Sequence, residues 1–283
     1  MKTIKKRWKN NPLRHSGLLM KIGFIICMGW ILVALFAPLL APQDPLAQDM
    51  GARFAPPSST HWFGTDELGR DVFSRVIMGS RISITAGLVT VCITFGVGIL
   101  YGGIAGYAGG MVDEVMMRIS ELVMAFPPLI LSMVIAAALG PSIFNSVLAM
   151  TIIWWPNYAR LMRSMVISLK ENEYVVAARA LGASHLRILV KEILPNSVGP
   201  LLVMATLDIG NAILTFSGLS FLGLGTQPPT PEWGAMVSEG VNHFQNWWIS
   251  TFAGLAIFSV AVGANFVGDG LRDKMDPKLR EKI

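Results

Sequence analysis

The chain has 283 residues, of which 53% are hydrophobic and 14% charged, with a formal net charge of +5. Soluble domains carry about 25% charged residues, so the polar coat of a soluble globular enzyme is missing, and a chain this apolar does not stay disordered. The apolar residues gather into runs long enough to cross a bilayer as helices, which takes about 20 residues each.

Six such runs are read, at 19–41, 83–108, 119–139, 143–163, 197–222 and 248–268. A basic segment, 1–18, comes first. A signal peptide would have a shorter apolar region and a small-residue cleavage site. Ala37-Pro38 and Ala41-Pro42 suit cleavage poorly, so 19–41 is expected to be a first transmembrane helix. A loop, 42–80, follows. In its stretch GTDELGRD (64–71), Thr65 or Asp66 is expected to cap a helix, with Asp66 and Glu67 near its positive end. Arg70, Arg75 and Arg81 would then project outward, on a surface helix or at a docking site for another protein.

The region 81–271 reads as the membrane core. Glycines at 98, 102, 106 and 110 form a ridge at four-residue spacing, which lets membrane helices approach closely, within the chain or against another. Pro156 is expected to kink the fourth run. Asp208 lies near the middle of the fifth, with Asn211 on the same face. A carboxylate at the bilayer centre is costly, so Asp208 must face protein or water, through a helix–helix hydrogen bond or on a substrate path. Asn265 and Asp269 lie in the sixth run, where Asp269 is placed to pair with Arg272. QPPTPEW (227–233) reads as a rigid loop and Trp247-Trp248 as an interfacial anchor. A short tail, 272–283, ends the chain.

Charge placement gives an orientation. The basic residues collect before the first run (Lys2, Lys5, Lys6, Arg7, Lys9, Arg14, Lys21), at Arg118, in 160–196 and in the tail (Arg272, Lys274, Lys278, Arg280, Lys282). Of 23 basic residues, only Arg53, Arg70, Arg75 and Arg81 fall on the other side. The positive-inside rule then puts both termini in the cytoplasm. The basic excess is an orientation signal rather than the patterned face of a nucleic-acid binder, so no nucleic-acid partner is expected.

The chain contains no Gly-Lys dipeptide and so no phosphate-cradling GxxxxGK[ST] loop, nor GxSxG or HExxH. Any ATP consumed in transport must be bound by another chain. His15, His61, His185 and His243 all fall outside the apolar runs, while Cys27 and Cys92 fall within them, so no metal site is expected.

The loop 164–196 between runs four and five carries the most specific pattern. Residues 173–195 read EYVVAARALGASHLRILVKEILP. Tyr174, Ala177, Ala178 and Leu181 recur at helical spacing, Gly182 suits a left-handed helix end, and Ser184 can cap a second short helix. Leu186, Leu189, Val190 and Ile193 would be its apolar face, and Pro195 would stop it. An amphipathic elbow of this kind can lie on lipid headgroups or dock a protein; its small residues favour the protein.

This stretch resembles the EAA loop of bacterial ABC importer permeases, EAA-x3-G-x9-I-x-LP. Ala177, Ala178, Gly182, Leu194 and Pro195 match it, while Val176 stands where the glutamate is expected and Glu192 where the isoleucine is. HWFGTDELGRDVFSRVIMGSRIS (61–83), MRISELVMAFP (117–127), LSFLGLGTQPPTPEWGAM (219–236) and NFVGDGLRDKMDP (265–277) are similar to the C-type permeases of dipeptide, oligopeptide and nickel importers. The resemblance implies an all-α integral membrane protein with six transmembrane helices in the type I importer fold, lodged in the bacterial inner membrane. It implies a cytoplasmic coupling helix between spans four and five, with Glu173, Tyr174, Ala177, Ala178, Arg179, Gly182, Leu194 and Pro195 facing an ATPase. It further implies a homologous second permease as heterodimer partner, two ATPases that bind ATP and Mg, an extracytoplasmic substrate-binding protein, and peptide or nickel as cargo. No cofactor and no catalysis are expected of this chain. Asp208, Asn211, Asn265 and Trp233 are the expected path residues, Trp233 near an outer gate. An ATP-independent secondary transporter is the rival class, against which stands the lack of a clear internal repeat.

Overall fold

The structure, a computed structural model, describes residues 12–275. Lys2, Lys5, Lys6, Arg7 and Lys9, and Lys278, Arg280 and Lys282, on which much of the orientation reading rests, lie outside the described residues. Among the described residues the architecture is all-helical, and a single bridge, Thr65 to Asp71, is the one strand-like pairing.

The chain opens with α1 (Pro12–Leu35) and a single turn, α2 (Ala37–Leu40). An irregular excursion then leads to α3 (Val72–Ala108), a 37-residue helix about 55 Å long. It turns at Gly109 into α4 (Gly110–Met124), continues through α5 (Pro128–Leu139), and returns along α6 (Ile143–Leu169). The elbow comprises α7 (Glu173–Ala180), the turn α8 (His185–Arg187) and a π-helical segment, Ile188–Ile193, which leads directly into α9 (Leu194–Phe221). Short α10 (Trp233–Asn242) precedes the last long helix, α11 (Trp248–Met275).

These helices run between two ends. One, the cap end, gathers the excursion 42–71, the start of α3 and α10. The other holds the elbow, beside the end of α3. Among the described residues, four helices are long and apolar enough to cross a membrane, and the α4–α5 pair makes a fifth if taken as one bent span. The expected fourth run, α6, has the length but is interrupted by Asn145, Asn157 and Arg160. Exposed apolar side chains along α1, such as Phe24, Ile25, Leu32 and Leu35, are what a lipid-facing helix presents.

Two expectations about these helices are corrected. The run 119–139 is not one straight helix, because α4 and α5 meet at 84°. Pro127 and Pro128 sit at the break: a proline disfavours helical backbone in the residue before it and withholds an N–H. Pro195 does not stop the elbow either, since helix continues from His185 to Phe221. Wide π turns reset the register just before it, so Pro195 falls in the first turn of α9, where a missing amide costs little.

The glycine ridge packs within the chain. A Cβ on Gly98 or Gly102 would collide with Tyr158 and Ala159 of α6, and one on Gly106 would press on Arg163 and Val166. Gly110 does not join the ridge; it has φ +54 in the turn between α3 and α4.

Candidate functional site

The elbow is built so that one side is anchored and the other is bare. After α7 the chain closes with Gly182 N–H donating to the Arg179 carbonyl (3.0 Å) and Ala183 N–H to the Ala178 carbonyl (3.1 Å). This helix end requires a left-handed residue, and Gly182 has φ +81. A Cβ there meets nothing within 4 Å, so backbone conformation rather than crowding selects glycine. Ser184 then accepts a hydrogen bond from Arg187 N–H, as its capping role anticipated.

On the inner side, Val175, Ile188 and Ile193 are fully buried against Tyr158, Met162, Val166 and Leu201 of α6 and α9. The Tyr107 hydroxyl at the end of α3 pairs with His185 Nδ1 at 2.9 Å. The expected apolar face is thereby revised: Ile193 is buried and Leu189 half-buried, but Leu186 and Val190 are exposed, because the π-helical turns shift the inward register onto Ile188.

On the outer side stands an apolar surface with nothing from the described residues upon it. Leu181 is 89% and Leu186 71% exposed, with Tyr174, Val176, Ala177 and Val190 also exposed and Ala178 half-buried. Glu173 and Arg179 flank it, both exposed. Of the last two residues of the motif, Leu194 is half-buried and Pro195 exposed.

The residues expected on a path are not gathered into one site. The Tyr158 hydroxyl of α6 donates to Asp208 Oδ2 of α9 at 2.7 Å, which gives the mid-helix carboxylate a helix–helix partner. Asn211 is exposed one turn on, and Asn265 is half-buried on α11. Trp233, expected near a gate, is fully buried: its indole N–H donates to the Val76 carbonyl at 2.9 Å and its ring meets Trp30 edge-on at 4.9 Å. It therefore pins α10 to α3 and α1. Asp269 is exposed, and among the described residues it forms no ion pair with Arg272.

The cap end holds what sequence reading missed. The helix after GTDELGRD is capped by Asp71, which accepts from Ser74 N–H at 2.8 Å, rather than by Thr65 or Asp66. Asp66 is instead folded inward, and Arg70 and Arg75 do not project: they are 4% and 5% exposed. Arg70 Nε donates to Asp66 Oδ2 at 2.6 Å, Arg75 Nε lies 3.3 Å from the same oxygen, and both guanidinium groups reach Glu239 of α10, at 3.4 and 3.9 Å. Trp248, one half of the expected interfacial anchor, is also buried, its N–H donating to the Thr65 carbonyl at 3.0 Å; Trp247 alone is exposed. Glu232 caps α10 from within, accepting from Ala235 N–H and the Ser83 hydroxyl, both at 2.9 Å. Burial pushes the Glu232 carboxyl above the ordinary glutamate range. Alternating charge in DELGRD was the available signal, but it reads equally as a solvated helix face.

Among the described residues, no three His, Cys, Asp or Glu side chains are placed to hold a metal ion. Taken together, the geometry is that of a multi-pass helical membrane protein with an exposed apolar elbow at one end. Comparison with known sequences defines it further. The model of the binding-protein-dependent transport system inner membrane component matches residues 98–281, and that of the N-terminal TM domain of oligopeptide transport permease C matches residues 6–57. The chain is 48% identical, over 95% of its length and 91% of the relative's, to a protein described as probable D,D-dipeptide transport system permease protein DdpC of Escherichia coli. It is 42% identical to the oligopeptide transport system permease protein OppC of Bacillus subtilis (97% of this chain, 90% of the relative). It is 40% identical to the nickel transport system permease protein NikC of Escherichia coli (92% and 94%). The chain belongs to the family of inner membrane components of binding-protein-dependent transport systems: it is a transport permease subunit, not an enzyme.

Proposed function

We propose that this chain forms one half of the translocation path of an ATP-driven importer for dipeptides or oligopeptides, with a second, homologous permease as the other half. Its termini and elbow face the cytoplasm, and its cap faces the exterior, where a substrate-binding protein delivers cargo. Two separate ATPase subunits bind the ATP and Mg, and one of them seats on the elbow. Closure of the paired ATPases moves the elbow, and the helices anchored to it swing between inward-open and outward-open arrangements, as two-state switching requires.

One observation carries this reading. The elbow is rooted in α6 and α9 through Val175, Ile188 and Ile193, while Tyr174, Ala177, Leu181 and Leu186 stand exposed. An apolar surface fixed rigidly to the membrane helices suits force transfer from a docked protein better than shallow contact with headgroups. Peptide rather than nickel is the favoured cargo because two of the three relatives described above are named for peptides.

Cysteine cross-linking tests the docking. With Ala178→Cys in the assembled importer, a cross-link to an ATPase subunit is expected, and capture of lipid alone contradicts the proposal. Gly182→Trp should leave the protein inserted, because the strain of a left-handed non-glycine residue falls on the turn after α7 rather than on a membrane helix, yet abolish the stimulation of ATP hydrolysis by cargo.

A further inference from the structure

A cleft of about 640 Å³ opens near the cap end between α3, the start of α6 and the loop before α10. Its size falls within the range of about 300–1,000 Å³ that small-molecule sites occupy. Ile82, Phe144 and Val147 are among its apolar walls, and its polar groups are Arg81, Thr85 and Thr230. Arg81 and Thr85 lie one turn apart on α3, and Thr230 comes from the loop before α10.

The three arginines near the start of α3 differ in one respect. Arg70 and Arg75 are buried and paired with Asp66 and Glu239. Arg81 is exposed, lines the cleft, and has no hydrogen-bond or ion-pair partner among the described residues. It stands in the cap-end part of α3, just ahead of the apolar run 83–108. A guanidinium with no partner beside an apolar cleft is available to pair with an anionic ligand. A guanidinium beside a threonine hydroxyl presents a fork of donors that a carboxylate fills with two parallel hydrogen bonds, while the apolar walls take up uncharged side chains. A bare divalent cation would be repelled.

We infer that this cleft is a cargo subsite in which Arg81, assisted by Thr85 and Thr230, receives the C-terminal carboxylate of a transported peptide. The inference rests on the peptide reading given above and adds the chemical group that is recognised. The loop bearing Thr230 leads directly into Glu232 and Trp233, which bind α10 to α3. An occupied cleft thus touches the segment that joins the cap to the membrane helices.

Uptake by the complete importer, with its own binding protein, tests the idea through a labelled dipeptide and its C-terminal amide. Selection by the binding protein is common to parent and variant, so a change in the acid-to-amide ratio reports on Arg81. Arg81→Gln is expected to lower that ratio about tenfold, the size of one lost charge-assisted pair, and Arg81→Lys to lower it less. An unchanged ratio, as for an arginine that meets a lipid phosphate, overturns the inference. So does loss of the second permease from the purified Arg81→Gln complex, which would make the residue a subunit contact. Failure of the parent to import either peptide would instead remove the peptide reading itself, and this subsite with it.

Discussion

At the cap end, Asp66, Arg70, Arg75 and Glu239 form a buried cluster in which each charge has an opposite charge beside it, and Trp233 and Trp248 each donate to a carbonyl of this chain. At the elbow, Leu181, Leu186, Val176 and Tyr174 stand exposed on helices whose inner faces are fully buried. Large exposed apolar patches on an otherwise well-packed element mark places where another surface belongs. The cap is completed by its own residues, whereas the elbow's apolar side chains stand bare among the described residues. Substitutions at the two ends should therefore fail in different assays.

The largest expected effect is at the cap. Asp66→Ala leaves Arg70 and Arg75 buried with Glu239 as their remaining ion-pair partner among the described residues and deletes the acceptor of the Leu68 and Arg70 amides. Removing one partner from a buried ion pair costs about 3–5 kcal/mol, so the variant should accumulate poorly and melt well below the parent in detergent. Melting alongside the parent would mean that the cluster is solvated and the contrast with the elbow is wrong.

At the elbow the expectation is reversed. Leu181→Asp alters a side chain that is 89% exposed, and such changes are usually within about 0.5 kcal/mol of neutral. Thermal stability of the isolated subunit should hold, while the ATPase subunit should no longer co-purify, since a buried carboxylate in an apolar interface has no partner. Retained co-purification with full activity would move the docking surface elsewhere.

How much of this was legible beforehand differs by region for physical reasons. The elbow is local: the cap at Ser184, the left-handed Gly182 and the exposed Tyr174–Leu181 stripe each depend on residues a few positions apart, which a periodic reading captures. Only its second half departed, because a π segment breaks the 3.6-residue period on which Leu186 and Val190 had been placed inward. The cap is non-local. Whether Arg70 and Arg75 point outward or inward is decided by Glu239, more than 160 positions away, and by Trp248 reaching back to Thr65. Nothing in GTDELGRD discloses those partners. Likewise Asp208 announced that it needed company, but the identity of that company, Tyr158, lies on another helix.

The smallest effect sharpens the claim that the cap is closed to water. Glu232 is fully buried, takes its hydrogen bonds from Ala235 N–H and Ser83, and burial raises its carboxyl above the ordinary value of 4.5. Between that ordinary value, which the unfolded chain keeps, and the raised folded value, the folded protein holds a proton that the unfolded chain has released. The stability from this group is thus complete below the unfolded value and is lost as pH rises through the folded one. Glu232→Gln cannot titrate, and its carbonyl can still accept from Ala235. The melting temperature of the parent should therefore fall relative to the variant as mildly acidic buffer is replaced by neutral buffer. Every other group is common to both proteins, so the difference between the two curves isolates Glu232. Parallel curves would mean that water reaches this carboxylate and that α10 is capped from an open surface.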